Sequence, residues 1–281
     1  MRFSIEHHTE YRYSHPVFLE PLTLRLRPRC EVTQTLQAYV VDVDPKPAGM
    51  SHCVDLDGNN TTTVWFNGLH TRLAIGVSAV VQTHRSDPFD FLITNAAAMT
   101  LPLVYDQRLR PALNQYLERP QPDDTVHAFS AAIQADAGHD SVRFLTLLAE
   151  RIRGTFQYSV REHGDPWTPR ETLERKFGAC RDFAMLYLDA CRCAGIAARF
   201  VSGYCYVDAT SEHHLHAWVE AYLPGAGWRG FDPSEGTAVA DRHIALATGR
   251  GAEDASPVSG LYRGDARPVL VASVAIAKLN N

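Results

Sequence analysis

The 281-residue sequence predicts an α+β chain, in which a β-sandwich-like N-terminal domain precedes a core of helices followed by an antiparallel sheet. Three observations carry this prediction. The first ~95 residues alternate apolar and polar residues with period 2, the middle of the chain switches to helical spacing with start and stop signals, and alternation returns after Gly195. In "LTLRLRPR", Leu22, Leu24 and Leu26 share one strand face, with Thr23, Arg25 and Arg27 on the other. In "RLAIGVSAVVQTH" the buried face reads Leu73, Ile75, Val77, Ala79 and Val81. Between them lie "LQAYVVDV" and "TTTVWF", the latter entered from the turn-forming "DLDGNN". Several short strands so spaced predict a sandwich.

The helical block begins with "DTVHAFSAAIQADAG", which ends at Gly138. "DSVRFLTLLAERIRGTF" then places Phe144, Leu145, Leu148, Ala149 and Ile152 on one face. In "WTPRETLERKFG", Thr168 is an N-cap, Pro169 the first helical residue and Glu171 completes a capping box, and the helix ends near Gly178. The next helix opens at Cys180 and buries Phe183, Leu186, Tyr187, Ala190, Cys191 and Ala194, with Gly195 as its stop. Strands follow in "ARFVSGYCYV", "LHAWVEAYL" and, after a "PGAG" turn, "GWRGFDPSEG"; a Gly- and Pro-containing loop from ~249 to ~268 precedes a last strand, "PVLVASVAIAKL". The expected division is residues 1–97, 98–248 and 249–281.

Composition excludes several classes. A formal charge of −5 offers no footprint for nucleic acid or an anionic membrane. The opening "MRFSIEHHTEYRYSHPV" has no apolar secretory region, and "VLVASVAIA" is far short of the ~20 residues of a membrane helix. Six cysteines with no CxxC pair read as reduced thiols, so a cytoplasmic protein is expected. His213, His214 and His216 stand close in sequence. No cysteine or carboxylate lies at a recurrent zinc spacing from them, and no acidic loop has calcium-site density, so neither metal nor cofactor is expected.

Cys180 differs from the other cysteines because it opens a helix, where unpaired N–H groups and the macrodipole favour a thiolate. Cys191 lies in the buried stripe, and Cys193 is a half-exposed bystander facing another way. A nucleophilic thiol needs an imidazole, ideally oriented by a carboxylate or amide. The candidate base is His216 in "HLHAWVEAY": Leu215, Ala217, Val219, Ala221 and Leu223 form the packing face, leaving His216 and Trp218 on the other. The chain returns through Asp232, held extended by Pro233. Asp232 shares a face with His216 only if the intervening loop is odd in length or carries a bulge, so such an irregularity is predicted near 223–228.

Taken in order, "GACRDFAMLYLDACRCAGIAARFVSGY", "HAWVEAYLPGAGWRGFDPSEG" and "GRGAEDASPVSGLYRG" resemble the transglutaminase-like superfamily of bacterial proteins, and "SIEHHTEYRYSHPV" with "LRLRPR" resembles its β-rich N-terminal domain. The resemblance implies a papain-like core with a Cys-His-Asp triad falling on Cys180, His216 and Asp232. Ala179, Arg181 and Met185 replace the usual Val, Gln and second His of the cysteine motif, none of them a triad position. The chemistry it implies is attack by the Cys180 thiolate on an amide or peptide carbonyl, then a thioester resolved by water or an amine. The Cys180 N–H is one oxyanion donor; Gln157 or Tyr158 is a second, though each also reads as an ordinary strand residue. Trp218 is expected to wall the cleft, and Tyr204 to line it or to pack as a core aromatic. The partner is a peptide or protein amide, with hydrolysis and transamidation both open. The alternatives are arylamine N-acetyltransferase-like chemistry, against which the long N-terminal segment argues, and a degenerate peptide-binding scaffold.

Overall fold

Leu73, Ile75, Val77, Ala79 and Val81 are all buried, as their alternation predicts, and the strand that carries them is the spine of the first of two linked β-systems. A computed structural model describes residues 1–161, 164–208 and 210–280. The N-terminal strands are β1 (Arg2–Leu19), β2 (Leu22–Leu24), β3 (Gln34–Asp44), β4 (Gly49–Val54), β5 (Asn60–Trp65) and β6 (His70–Thr83). A short α1 (Arg110–Leu113) leads to α2 (Asp124–Asp136) and α3 (Ser141–Thr155). Then come β7 (Gln157–Tyr158), α4 (Pro169–Arg175), β8 (Phe177–Gly178) and α5 (Cys180–Cys193). The second half is β9 (Ala198–Cys205), β10 (Leu215–Leu223), β11 (Gly227–Asp232), β12 (Thr237–Ala238) and β13 (His243–Gly249). The chain ends with β14 (Val258–Ser259), β15 (Tyr262–Arg263) and β16 (Pro268–Lys278).

Two antiparallel sheets face each other at the N-terminal end. One runs β15-β1-β6-β3, with β16 also paired to β1; the other runs β14-β2-β5-β4. Phe3, Ile5, Val17, Leu22, Leu24, Leu26, Val64 and Leu73 fill the space between them. The last strand therefore belongs to the N-terminal sheet, matched to β1 from Phe3↔Lys278 to Tyr13↔Pro268. The stretch before it is also pinned, since β14 pairs with β2 and β15 with β1. Hydrophobic alternation shows that a strand forms but not which distant strand it joins, so sequence alone left this segment detached.

In the core, a five-stranded sheet of order β12-β11-β10-β9-β13 carries α5 on one face. The helix packs through Phe183, Leu186, Tyr187, Ala190 and Cys191 against Ala217, Val219, Ala221, Phe231 and their neighbours. α3 buries the five residues its spacing predicted, with the Asp140 carboxylate accepting from the Arg143 N–H at 2.7 Å. The α4 capping box forms, but the helix stops three residues before Gly178, at Arg175. Lys176 turns left-handed there (φ 53°), and Phe177–Gly178 leave the helix to pair in parallel with Gln157–Tyr158. Sequence reading missed β13, whose seven residues are all buried.

β13 is a sheet edge, and the N-terminal sheets close it. The Gln34 side chain donates to the Ala245 carbonyl at 2.9 Å and accepts from its N–H at 2.8 Å. Asn59 does the same for Thr248, at 2.7 and 2.8 Å. Two buried amides thus stand in for a further strand, satisfying backbone groups that would otherwise be orphaned. Tyr204, Ile244 and Leu246 enter the N-terminal core beside them. Among the described residues no helix is long and apolar enough to cross a membrane.

Candidate active site

Cys180 occupies the first turn of α5 because the backbone before it is extended (Ala179 φ −88°, ψ 171°) and the helix start is clamped from outside. Asp182, fully buried, accepts from the Ala179 N–H at 2.8 Å, from the Trp167 N–H at 2.8 Å and from Arg161 Nη2 at 2.5 Å. This carboxylate near the helix N-terminus both complements the macrodipole and ties the 164–167 loop to the cysteine. At the other end Gly195 (φ +74°) stops the helix, with the Ile196 N–H donating to the Cys191 carbonyl at 2.9 Å.

The hairpin meets the parity requirement. Leu223 pairs with Gly227, so three residues, 224–226, form the loop, and even-numbered residues oppose even-numbered ones. Gly227 takes the left-handed conformation (φ +75°) that such a loop demands. Asp232 therefore lies on the His216 side of the sheet, and its Oδ2 accepts from His216 Nε2 at 2.6 Å. The other oxygen serves the Asp-Pro turn: Oδ1 accepts from the Ser234 N–H (2.9 Å), the Ser234 hydroxyl (2.5 Å) and the Glu235 N–H (3.2 Å). The turn role and the histidine role of Asp232 are thus divided between its two oxygens.

His216 Nε2 is committed to Asp232, which leaves Nδ1 for the thiol side, and Cys180 lies near enough to the imidazole to act on its charge. Burial pulls the His216 pKa down, but the Asp232 carboxylate and the Cys180 thiol outweigh it and hold it well above the usual 6.5. Burial pushes Asp232 up; the two histidines beside it overcome this and keep it well below the usual carboxylate range. The three residues come from three elements, 36 and 16 positions apart by subtraction of their numbers, and meet at one corner.

The second histidine is His243, which the sequence did not single out among 13. Its Nε2 meets the same Asp232 Oδ2 at 3.0 Å, and its side chain is 2% exposed. Burial lowers its pKa, but the Asp232 hydrogen bond and Cys205 prevail, raising it to about 9. A histidine opening an all-apolar "IALA" run was the available signal, and it is weak without knowing that β13 adjoins β9.

The expected cleft residues separate. Tyr158, 40% exposed overall, comes near the thiol; partial burial, then Cys180 and Asp232, raise its pKa. Gln157 is exposed, and its N–H donates to the Lys176 carbonyl at 2.9 Å, which sets the register of Tyr158. Trp218 lies beside His216 (ring centroids 6.2 Å apart) but is 1% exposed, so it backs the histidines instead of walling an open cleft. It fits because residue 203 is glycine; a Cβ there would fall 2.5 Å from the indole and 2.2 Å from the Ile244 carbonyl oxygen. Tyr204 does not line the cleft. It points to the N-terminal sheets, where its hydroxyl bonds His7 Nδ1 at 2.8 Å, because alternation sends it to the face opposite Gly203. All six cysteines are free, with Cys191 buried and Cys193 partly exposed. Burial raises the thiol pKa of both, that of Cys193 to about 11.

Fold and site together define an α+β protein with a thiol at a helix start, an imidazole and carboxylate on the adjoining sheet, and a β-rich N-terminal region. Residues 3–82 match the bacterial transglutaminase-like N-terminal region, and residues 127–233 match the transglutaminase-like superfamily. The chain belongs to the transglutaminase-like superfamily. It is 28% identical over 286 aligned positions to an uncharacterized protein of Mycobacterium leprae (strain TN), covering 99% of both chains. An uncharacterized protein of Mycobacterium tuberculosis (strain ATCC 25618 / H37Rv) is 29% identical, covering 97% of this chain and 91% of its own. The fold is shared with a candidate cysteine protease from Cytophaga hutchinsonii, at a TM-score of 0.73 and 20% identity, over 100% of this chain and 92% of that one.

Proposed function

We propose that the chain is a cysteine-dependent acyltransferase or amidohydrolase acting on a peptide or protein amide through a thioester on Cys180. What supports this reading is the neighbourhood of Cys180, His216 and Asp232, with the acid fully buried, its histidine bond at 2.6 Å and the thiol close enough to act on the imidazole's charge. Cys180 passes its proton to His216, and the thiolate attacks the carbonyl carbon. The oxyanion forms beside the Cys180 N–H, one of the unpaired donors of the first helical turn, and beside the Tyr158 hydroxyl. His216 returns the proton to the leaving amine, which departs as the thioester forms. Water or an acceptor amine then attacks the thioester, His216 takes its proton, and Cys180 is released as leaving group. Asp232 fixes the imidazole tautomer and stabilises its charged form.

Selective alkylation at pH 6, read by mass spectrometry, tests the nucleophile. Cys180 is expected to react faster than Cys193 and faster than a free model thiol, and His216→Ala to abolish the difference. Equal rates for Cys180, Cys193 and the model thiol would sink the proposal and leave the degenerate-scaffold reading. Selectivity that survives His216→Ala would remove His216 as the base.

A further inference from the structure

Cys205 ends β9 and stands directly opposite His243 in β13. Its Sγ and one ring nitrogen from each of His216 and His243 lie within 4.8 Å of one another. Both histidines give Nε2 to Asp232 Oδ2. The remaining nitrogen of His243, Nδ1, is buried and has no hydrogen-bond partner. The relay of Cys180, His216 and Asp232 uses neither Cys205 nor that atom.

The geometry points to a binding site for a thiophilic divalent cation, zinc foremost, formed by Cys205, His216 and His243, whose occupancy withdraws His216 from Cys180. One thiolate and two imidazoles suit a borderline-soft ion and not magnesium or calcium, which take oxygen ligands. Ligating histidines generally donate their other ring N–H to a carboxylate, and Asp232 stands in that position behind both rings. Tetrahedral zinc with these donors needs ligand atoms roughly 3.5 Å apart. Binding therefore requires Cys205 to change rotamer and draw its sulfur closer to the two rings. On binding, the Cys205 thiol releases its proton to solvent, both imidazoles ligate as neutral rings, and a fourth position stays open to water. His216 Nδ1 cannot ligate the ion and receive the Cys180 proton at once, so the bound form is inhibited. Inhibition rests on His216 being the base; binding does not. The sequence pattern gave no hint of this site because its ligands come from three strands, 11 and 27 positions apart by subtraction, with no recurrent spacing.

Cobalt(II) titration of the full chain tests the site, since thiolate ligation gives a sulfur-to-cobalt charge-transfer band and zinc displaces the ion. Cys30→Ser and Cys53→Ser are introduced first, to remove the exposed thiols. One equivalent is expected to bind. Cys205→Ser and, independently, His243→Gln should each weaken binding by about 100-fold or more, with the native fold checked by circular dichroism; Cys180→Ala should leave it intact. Zinc should also slow alkylation of Cys180 in the unsubstituted chain and not in Cys205→Ser. Absence of a charge-transfer band, a band that survives both Cys205→Ser and His243→Gln, or one lost in Cys180→Ala would overturn the proposal. None of the cobalt readouts involves turnover, so their failure leaves the alkylation result for Cys180 standing.

Discussion

Asp232 shows how much one side chain can hold together. Five hydrogen bonds converge on its carboxylate, three from the turn that follows it and two from histidines on different strands. Replacing one oxygen by an amide nitrogen turns an acceptor into a donor facing an imidazole N–H. Asp232→Asn is therefore expected to slow acylation of Cys180 by an activated ester by about 10²–10⁴-fold. Stopped-flow measurement on the folded variant checks this, and an unchanged rate would mean that His216 is oriented by something else. In the sequence Asp232 read as the triad acid that the resemblance implies, and the turn that follows it adds a second role. The structure gives each role its own oxygen, a division that sequence cannot express.

At the level of elements, the three-residue hairpin loop decides whether the site exists. Strand parity has period 2, so removing one loop residue sends Asp232 to the helix-facing side while the sheet can still form. Deleting Ala226 is expected to abolish the selective alkylation of Cys180 with little change in far-ultraviolet circular dichroism. Retained selectivity would show that the hairpin re-bulges to restore register. The odd loop was legible in advance because Asp232 and His216 are both even-numbered and had to meet. The β7–β8 pairing was not legible: Gln157 and Tyr158 read as strand residues, but two-residue strands carry no periodicity that names a partner, and their parallel pairing with Phe177–Gly178 brings Tyr158 near Cys180.

Across the whole molecule, the N-terminal sheets act as a clamp on the core sheet. Asn59→Ala would orphan the buried N–H and carbonyl of Thr248, at a cost of about 1–3 kcal/mol for each group. Urea unfolding should register this loss, and a variant as stable as the parent would refute the clamp. The same seam should respond to acid. Burial, with His8 nearby, holds the His7 pKa at about 4, below the 6.5 of the unfolded chain. Between these values the unfolded state binds more protons, so stability is full above pH 6.5 and falls as pH drops toward 4. The His7 contribution to that fall is about 2 kcal/mol between pH 7.5 and 5. His7→Gln should flatten this part of the profile; a profile that keeps its slope would assign it to other groups.

Local chemistry was written in the sequence. The strand faces, the helix cap at Thr168, the helix opening at Cys180 and the odd hairpin loop each follow from rules that span a few residues, and the motifs in order carried the family. Long-range pairing was decided only by the tertiary structure. It returned β16 to β1, sent Tyr204 into the N-terminal core, and brought His243 to the acid that His216 already used, with Cys205 beside the two histidines. The physical reason is the same in each case. Periodicity shows which face of an element is buried, whereas the partner across that face depends on how distant segments jointly satisfy their backbone groups and fill their shared core.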